Sequence, residues 1–340
     1  MSNAFRLSRR GVLRSLIGSA ALQLVTSATD PLFAGTEQGP QDQESQMRAS
    51  LKEVKGTKLI LLGTGAGPVP GFPRHMQSSL LLHNGAAYIV DCGLGVTDQF
   101  ARTGLPFSAV RSIFITHHHP DHNIEYGPLL ILGWVNGLPQ SVAAYGPPPL
   151  KTMTQDYLRS MKTTIDFWAE DFKRPPFEMI ECTEVSKDGP VTQDQNVKVS
   201  CVTVQHPPVH PALGYRFDFS DRSIAFSGDT VPLETVAKLA RGVDVLVHEA
   251  MDVPVTEELA RRRAGHWNGG SSYDTIMHHM NADHSPVEDV GRIAQHAEAK
   301  MLVLSHLTPP DPMPPDDEWV QKAAKFYKGP ILVARDLMVI

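Results

Sequence analysis

An apolar run, Ile113-Phe114-Ile115, leads straight into Thr116-His117-His118-His119-Pro120-Asp121-His122. Few folds can accommodate that transition. Four imidazoles and a carboxylate at the end of a buried strand need a ligand to satisfy them. In an extended segment alternate side chains share a side, so His117 and His119 can reach one point. Pro120 then turns the chain and lets Asp121 and His122 reach a second. Imidazole and carboxylate donors suit zinc, iron or manganese better than calcium or magnesium. His118 points the other way and is expected to be a spectator. The chain holds 15 histidines, six of them between His117 and His210.

Composition sets the frame around this motif. In a chain of 340 residues, 41% hydrophobic and 20% charged, a core is expected and wholesale disorder is excluded. Lys plus Arg number 31 against 37 Asp plus Glu, a net charge of −6, which argues against nucleic acid as a habitual partner. Cys92, Cys182 and Cys201 are too few for a disulfide framework and lack C-x-x-C spacing, so all three are expected as small buried apolar residues.

Arg9 and Arg10 stand just ahead of a weakly apolar run, Val12 to Ala28, that falls short of the ~20 apolar residues a bilayer span needs. Thr26-Ser27-Ala28 and Leu32-Phe33-Ala34 offer small-residue cleavage sites. Residues 1–34 thus resemble a twin-arginine export signal, implying a periplasmic or secreted protein. Residues 35–55 are polar and read as a flexible linker, which leaves 56–340 as one catalytic domain.

From Thr57 onward twelve short apolar runs read as strands, beginning at Lys58–Leu62 and ending at Leu337–Ile340. Seven helical segments lie among them, including Ile124–Asn136, Leu150–Glu170 and Tyr273–Met280. Early hairpins followed by strand–helix alternation predict two sheets with helices on their outer faces.

His117-x-His119-x-Asp121-His122 after an apolar strand is similar to the signature of the metallo-β-lactamase superfamily. The resemblance implies an α/β fold, an αββα four-layer sandwich of two mixed β-sheets flanked by helices. It also implies two divalent metal ions, zinc first, with iron or manganese open. Later strand ends supply further matching residues: His206 after Val202–Gln205, Asp229 in Ser227-Gly228-Asp229-Thr230, and His306 after Met301–Ser305. By this resemblance His117, His119 and His206 hold one metal and Asp121, His122 and His306 the other, with Asp229 shared. His210 is the rival to His206.

Leu61–Gly65, Tyr88–Gly93 and Gly214–Phe217 resemble the ribonuclease Z and arylsulfatase-like branch. Val247-His248-Glu249-Ala250 and Asp283-His284-Ser285-Pro286 match two of its loops, and imply that Glu249 and His284 pass a proton to the leaving group. Asp121 joins them in positioning the attacking water. Only 22 residues separate His206 from Asp229, too few for the basic arm with which ribonuclease Z grips tRNA. The expectation is therefore an exported dinuclear hydrolase of a small anionic ester, arylsulfatase-like or phosphodiesterase-like, with a metal-activated hydroxide as nucleophile. No nucleic acid and no membrane span are expected. A ribonuclease Z-type phosphodiesterase, a β-lactamase, a lactonase and an iron-dependent oxygenase or oxidoreductase stand as alternatives.

Weaker signals have plainer readings. Gly63-Thr64-Gly65-Ala66-Gly67 lacks dinucleotide spacing and reads as a tight turn bringing backbone near the cleft. Arg74 and His75 are either substrate contacts or loop charge. Phe167 and Trp168 read as a solvated helix cap, with a pocket lip or a homodimer contact as the other options. Arg261, Arg262 and Arg263 read as a solvated helix face. His266, His278, His279 and His296 read as surface or packing residues, and His248 as a ligand or a neighbour of one.

Overall fold

Alternation along the first strand shows how the layers form. In β1 (Thr57–Gly63), Leu59 and Leu61 face one way and Ile60 and Leu62 the other, and all four are buried. Such a strand must be covered on both sides. Leu59 and Leu61 enter a core shared with the opposite sheet, while Ile60 and Leu62 pack against helices.

The computed structural model describes residues 40–52, 55–178, 180–266 and 269–340. The segment read as an export signal, 1–34, lies outside the described residues. After β1 come β2 (Ser78–His83), β3 (Ala86–Val90), β4 (Val110–Phe114), β5 (Ala143–Gly146) and β6 (Glu181–Glu184). The second sheet follows with β7 (Gly189–Gln193), β8 (Val197–His206), β9 (Val209–Phe219), β10 (Ser223–Phe226), β11 (Val245–Met251), β12 (Leu302–Thr308) and β13 (Ile331–Val333). The chain returns to the first sheet in β14 (Met338–Val339). Sheet orders are β14-β1-β2-β3-β4-β5-β6 and β13-β12-β11-β10-β9-β8-β7, each mixed parallel and antiparallel.

Between the sheets, Phe114 meets Phe217 edge-on at 4.9 Å and Tyr215 at 5.6 Å, and the Tyr215 hydroxyl donates to the Ile115 carbonyl at 3.0 Å. Phe100, Leu129, Leu130, Trp134 and Leu150 cover the outer face of the first sheet. Val236, Val290, Ile293 and Trp319 cover that of the second. The result is the four-layer αββα sandwich.

Several boundaries differ from the sequence reading. Part of the supposed linker is a helix, Pro40–Lys52, because Met47 and Leu51 bury themselves in the first outer core. The edge strands β6 and β7 escaped notice because they are polar and mostly solvated, as sheet edges commonly are. Leu150–Glu170 is two helices, Leu150–Ser160 and Lys162–Asp171, broken at Met161. A further helix, Asp316–Ala324, follows the proline-rich loop and buries Trp319 completely. Cys92 and Cys201 are buried as expected, whereas Cys182 is half-buried, and all three are free thiols. Among the described residues no helix is long and apolar enough to cross a membrane.

Candidate metal centre

Strands β8, β11 and β12 run further than their apolar residues indicate, to His206, Met251 and Thr308. Their polar ends deliver the site. In the β11–β12 ladder Glu249 pairs with Ser305 and Ala250 with Leu307, so His306 is the extra residue of a bulge, at φ 44°. Bulges re-aim side chains at sheet edges. A non-glycine residue in the left-handed region persists where its surroundings hold it. Asp91, at φ 62°, is a second example beside the same site.

Two groups of donors result. His117 Nε2 and His206 Nε2 lie 3.2 and 2.9 Å from His119 Nδ1. In the second group, Asp121 Oδ2 lies 3.2 Å from His306 Nε2, and Asp229 Oδ2 lies 3.2 Å from both His122 Nε2 and His306 Nε2. Asp229 Oδ2 is also 3.8 Å from His117 Nε2 and 3.9 Å from His206 Nε2, so it stands between the groups. His117, His119 and His206 form one metal-competent set, Asp121, His122, Asp229 and His306 another, and Glu249 and His284 share His306 with the second in a smaller third. His210 is exposed and takes no part.

Neighbouring groups fix which nitrogen faces inward. Asp91 accepts from the Thr116 backbone N–H at 2.8 Å and from His122 Nδ1 at 2.8 Å. His117 Nδ1 donates to Thr116 Oγ1 at 3.0 Å, and His206 Nδ1 to the Asp283 carbonyl at 2.9 Å. Each ring therefore turns Nε2 toward its group, an arrangement typical of metal-binding imidazoles. Gly67 donates its N–H to Asp121 Oδ2 at 2.9 Å; a Cβ there would stand 2.2 Å from Asp121 Cβ. The glycine-rich turn thus does bring backbone to the cleft.

The electrostatics suit cations. Burial, reinforced by His122, holds the His117 imidazole well below its usual range. Burial and His206 push His119 down to about 4, and burial lowers His206. Burial favours the neutral carboxyl of Asp121, yet His122 and His306 override it and hold the group well below the usual carboxylate range. Asp229 is held down in the same way by His122 and His306. Neutral imidazoles and ionised carboxylates are the forms that bind metal; burial lowers His122, but Asp229 and Asp91 override it and hold that ring well above its usual range, so it would give up its proton to a cation. Buried His122 Nε2, Asp229 Oδ1 and His306 Nδ1 also lack hydrogen-bond partners. Converging lone pairs and orphaned polar atoms both fit a pair of divalent cations, which would be held by these seven residues.

Beside the second group, Glu249 Oε1 accepts from the Thr230 N–H at 2.6 Å and Oε2 from His284 Nδ1 at 2.9 Å. His284 stacks 5.7 Å from His306 and meets His206 edge-on at 5.5 Å. Burial alone would lower the His284 pKa; Glu249 overcomes it and raises it to about 9. His119, Asp121, His206, Asp229, His284 and His306 line a cleft of about 480 Å³.

Other candidates fall elsewhere. His118 is bound to the Pro147 carbonyl and Asn123. His248 is buried and bonded to the Glu249 carbonyl, outside both groups. Arg74 bonds to Thr64 and the Ala334 carbonyl, and His75 to Asp336, so both pin the C-terminal loop. Arg261 and Arg262 pair with Glu257 and Glu258, but Arg263 lines an apolar slot beside His284, where it lies over Phe72. His279 was read as a surface or packing residue, yet it lines the cleft. Its spacing four before Asp283 was the signal available.

Comparisons with known proteins agree with the geometry. Residues 87–307 match the model of the beta-lactamase superfamily domain. A ribonuclease Z from Mycobacterium sp. (strain KMS) is 31% identical over 286 residues, 82% of this chain and 94% of that protein. The metallo-β-lactamase fold protein YhfI of Bacillus subtilis superposes with a TM-score of 0.61 at 17% identity, covering 84% of this chain and 98% of that one. Human tRNase Z, short form, superposes with a TM-score of 0.60 at 22% identity over 83% and 98%. These findings overturn the expectation of a small anionic ester and no nucleic acid. The missing arm and the acidic net charge argued for that reading, but a relative named as a ribonuclease matches over nearly its whole length. Net charge also averages over the surface and hides a local cation such as Arg263. The chain belongs to the metallo-β-lactamase superfamily, in its ribonuclease Z branch.

Proposed function

We propose that this protein is a zinc-dependent phosphodiesterase of the ribonuclease Z type, hydrolysing a phosphodiester bond in RNA. The observation that carries the reading is the Glu249–His284 pair set against the Asp229-centred donor groups, on a chain aligned with a ribonuclease Z over 94% of that protein. Zinc is favoured by the nitrogen-rich donor set.

Two cations bound by the seven residues would neutralise phosphate charge and supply a nucleophilic water near neutral pH. Asp121, held by the Gly67 N–H, and Asp229, between the groups, fix where that water lies. Glu249 accepts from His284 Nδ1 and so aims Nε2 at the leaving oxygen, to which His284 gives its proton. Thr230, bonded to the other Glu249 oxygen, ties this pair to the Asp229 turn. Arg263 at the rim supplies a cation for the approaching backbone.

Zinc-loaded protein should cleave a tRNA bearing a 3′ extension at a single position, and chelation should stop it. Cleavage of bis(p-nitrophenyl) phosphate with no cleavage of RNA at any tested length would refute the nuclease reading and leave the metal chemistry standing. Metal analysis that finds redox-active iron instead of zinc would remove the zinc assignment.

Export is a separate proposal, resting on Arg9-Arg10 and the run that follows them. Cell fractionation should find the protein outside the cytoplasm and the doubly substituted Arg9→Lys, Arg10→Lys chain within it. Equal distribution of the two would count against a twin-arginine signal.

A further inference from the structure

The apolar slot beside His284 has walls from distant parts of the chain. The helices Val253–Arg263 and Tyr273–Asp283 form one side, packed on each other through a small core of their own, Ala260, Ile276 and Met277. The loop carrying Val69 and Phe72, and Pro309 and Pro310 just past β12, close the rest. The slot holds about 50 Å³, against 480 Å³ for the cleft. Gly67, Val69, Ile276, Met280 and His284 line both spaces, so the slot adjoins the cleft beside the group that protonates the leaving oxygen.

Two polar atoms interrupt the apolar lining. Thr256 and Thr308 are only 4% and 5% exposed, and the hydroxyl of each is buried without a hydrogen-bond partner. Folded proteins seldom leave such groups unpaired, and a hydroxyl can either donate or accept. Apolar walls with a few polar groups among them are what small-ligand sites present. The occupant that satisfies both is flat, apolar on its faces and polar at its edge. A plain hydrocarbon would leave the hydroxyls unpaired. A pyrimidine ring meets the requirement by entering edge-on, whereas a two-ring base would need more room than the slot has. Phe72 offers such a ring a flat wall, and aromatic faces stack on bases.

We propose that this slot seats the base of the nucleotide whose ribose oxygen leaves, and that it favours a pyrimidine there. Because His284 gives its proton to that oxygen, the sugar bearing the base sits where slot and cleft meet. This rests on the ribonuclease reading and adds a base preference at one position.

The test uses the 3′-extended tRNA in versions that differ only at the leaving nucleotide, which carries uracil, adenine or no base. The readout is the ratio of kcat/KM values between versions, in which any general loss of activity or folded fraction cancels. Wild-type protein should prefer uracil to no base about tenfold, the worth of part of one ring removed from water. It should prefer uracil to adenine by a similar factor. Val69 is half-buried where slot and cleft meet, so Val69→Trp should fill the opening and bring the uracil-to-none ratio to about 1. Thr256→Val combined with Thr308→Val keeps the shape, removes both hydroxyls and should lower that ratio about threefold. A wild-type ratio of about 1 between uracil and no base, or a ratio that Val69→Trp leaves unchanged, overturns the assignment. Equal values for adenine and uracil overturn the pyrimidine preference. Protein that hydrolyses bis(p-nitrophenyl) phosphate but none of the tRNAs disproves the RNA reading itself, and this subsite falls with it.

Discussion

Replacing Asp229 with alanine is expected to lower turnover of any phosphodiester by ~1,000-fold or more and to empty at least one of two metal positions. Asp229 Oδ2 lies between 3.2 and 3.9 Å from the Nε2 atoms of His122, His306, His117 and His206. Among the described residues no other carboxylate lies within ion-pair distance of imidazoles of both donor groups. Without its charge, four imidazoles from three segments lose the carboxylate that stands between the two groups, and Asp121 reaches only His122 and His306. The magnitude follows from what the cations supply, since lowering a water pKa from 15.7 toward about 7 accounts for several powers of ten. Zinc content by mass spectrometry and hydrolysis of bis(p-nitrophenyl) phosphate measure the two effects separately. His118→Ala is the matched control, because His118 sits in the same loop but bonds to the Pro147 carbonyl. An Asp229→Ala protein that keeps two equivalents of metal and its activity would refute the shared-carboxylate assignment.

His284→Ala should behave differently, with metal retained and a loss that depends on the leaving group. General acid catalysis contributes ~100- to 10,000-fold where the leaving oxygen needs a proton. An RNA ribose oxygen needs one; nitrophenolate leaves without it. The variant should therefore lose about 100-fold or more on RNA and less than about tenfold on bis(p-nitrophenyl) phosphate. The pH profile carries the sign. The Glu249 carboxylate raises His284 to about 9 despite burial, so the proton is present below that value and is lost as pH rises through it. Bound cations oppose the protonated ring and move the alkaline limb to lower pH. That limb should be present in wild-type RNA cleavage and absent from the variant, and Glu249→Gln should shift it further down. Equal slowing on both substrates would take the proton-donor role away from His284.

The motif loop was legible because it follows an apolar run, and the Ser-Gly-Asp turn and the histidines ending β8 and within β12 because each also follows such a run and matches the family resemblance. Such runs reveal strands, and donors at strand ends reveal a sheet-edge site. The polar strands β6 and β7 and the helix Pro40–Lys52 were not legible, since their burial depends on partners far along the chain. His279 escaped for a related reason. On a helix read alone, an imidazole is more often solvated than functional, and only the docking of that helix shows which face meets the cleft. The expectation about partners failed because it weighed total charge and a missing arm, neither of which reports the surface at the cleft rim.

Local pattern by itself determined the layered α/β fold and the donor loop His117–His122, because buried strands and costly polar groups leave marks at short range in a chain; the family resemblance added His206, Asp229, His306 and the Glu249–His284 pair. Only the tertiary structure decided that His206 and not His210 faces inward, that His306 is turned by a bulge, and that Asp229 stands between the groups. Those outcomes depend on strand register and helix docking, which are settled by contacts between residues as far as 185 positions apart. A sequence read in order does not display them.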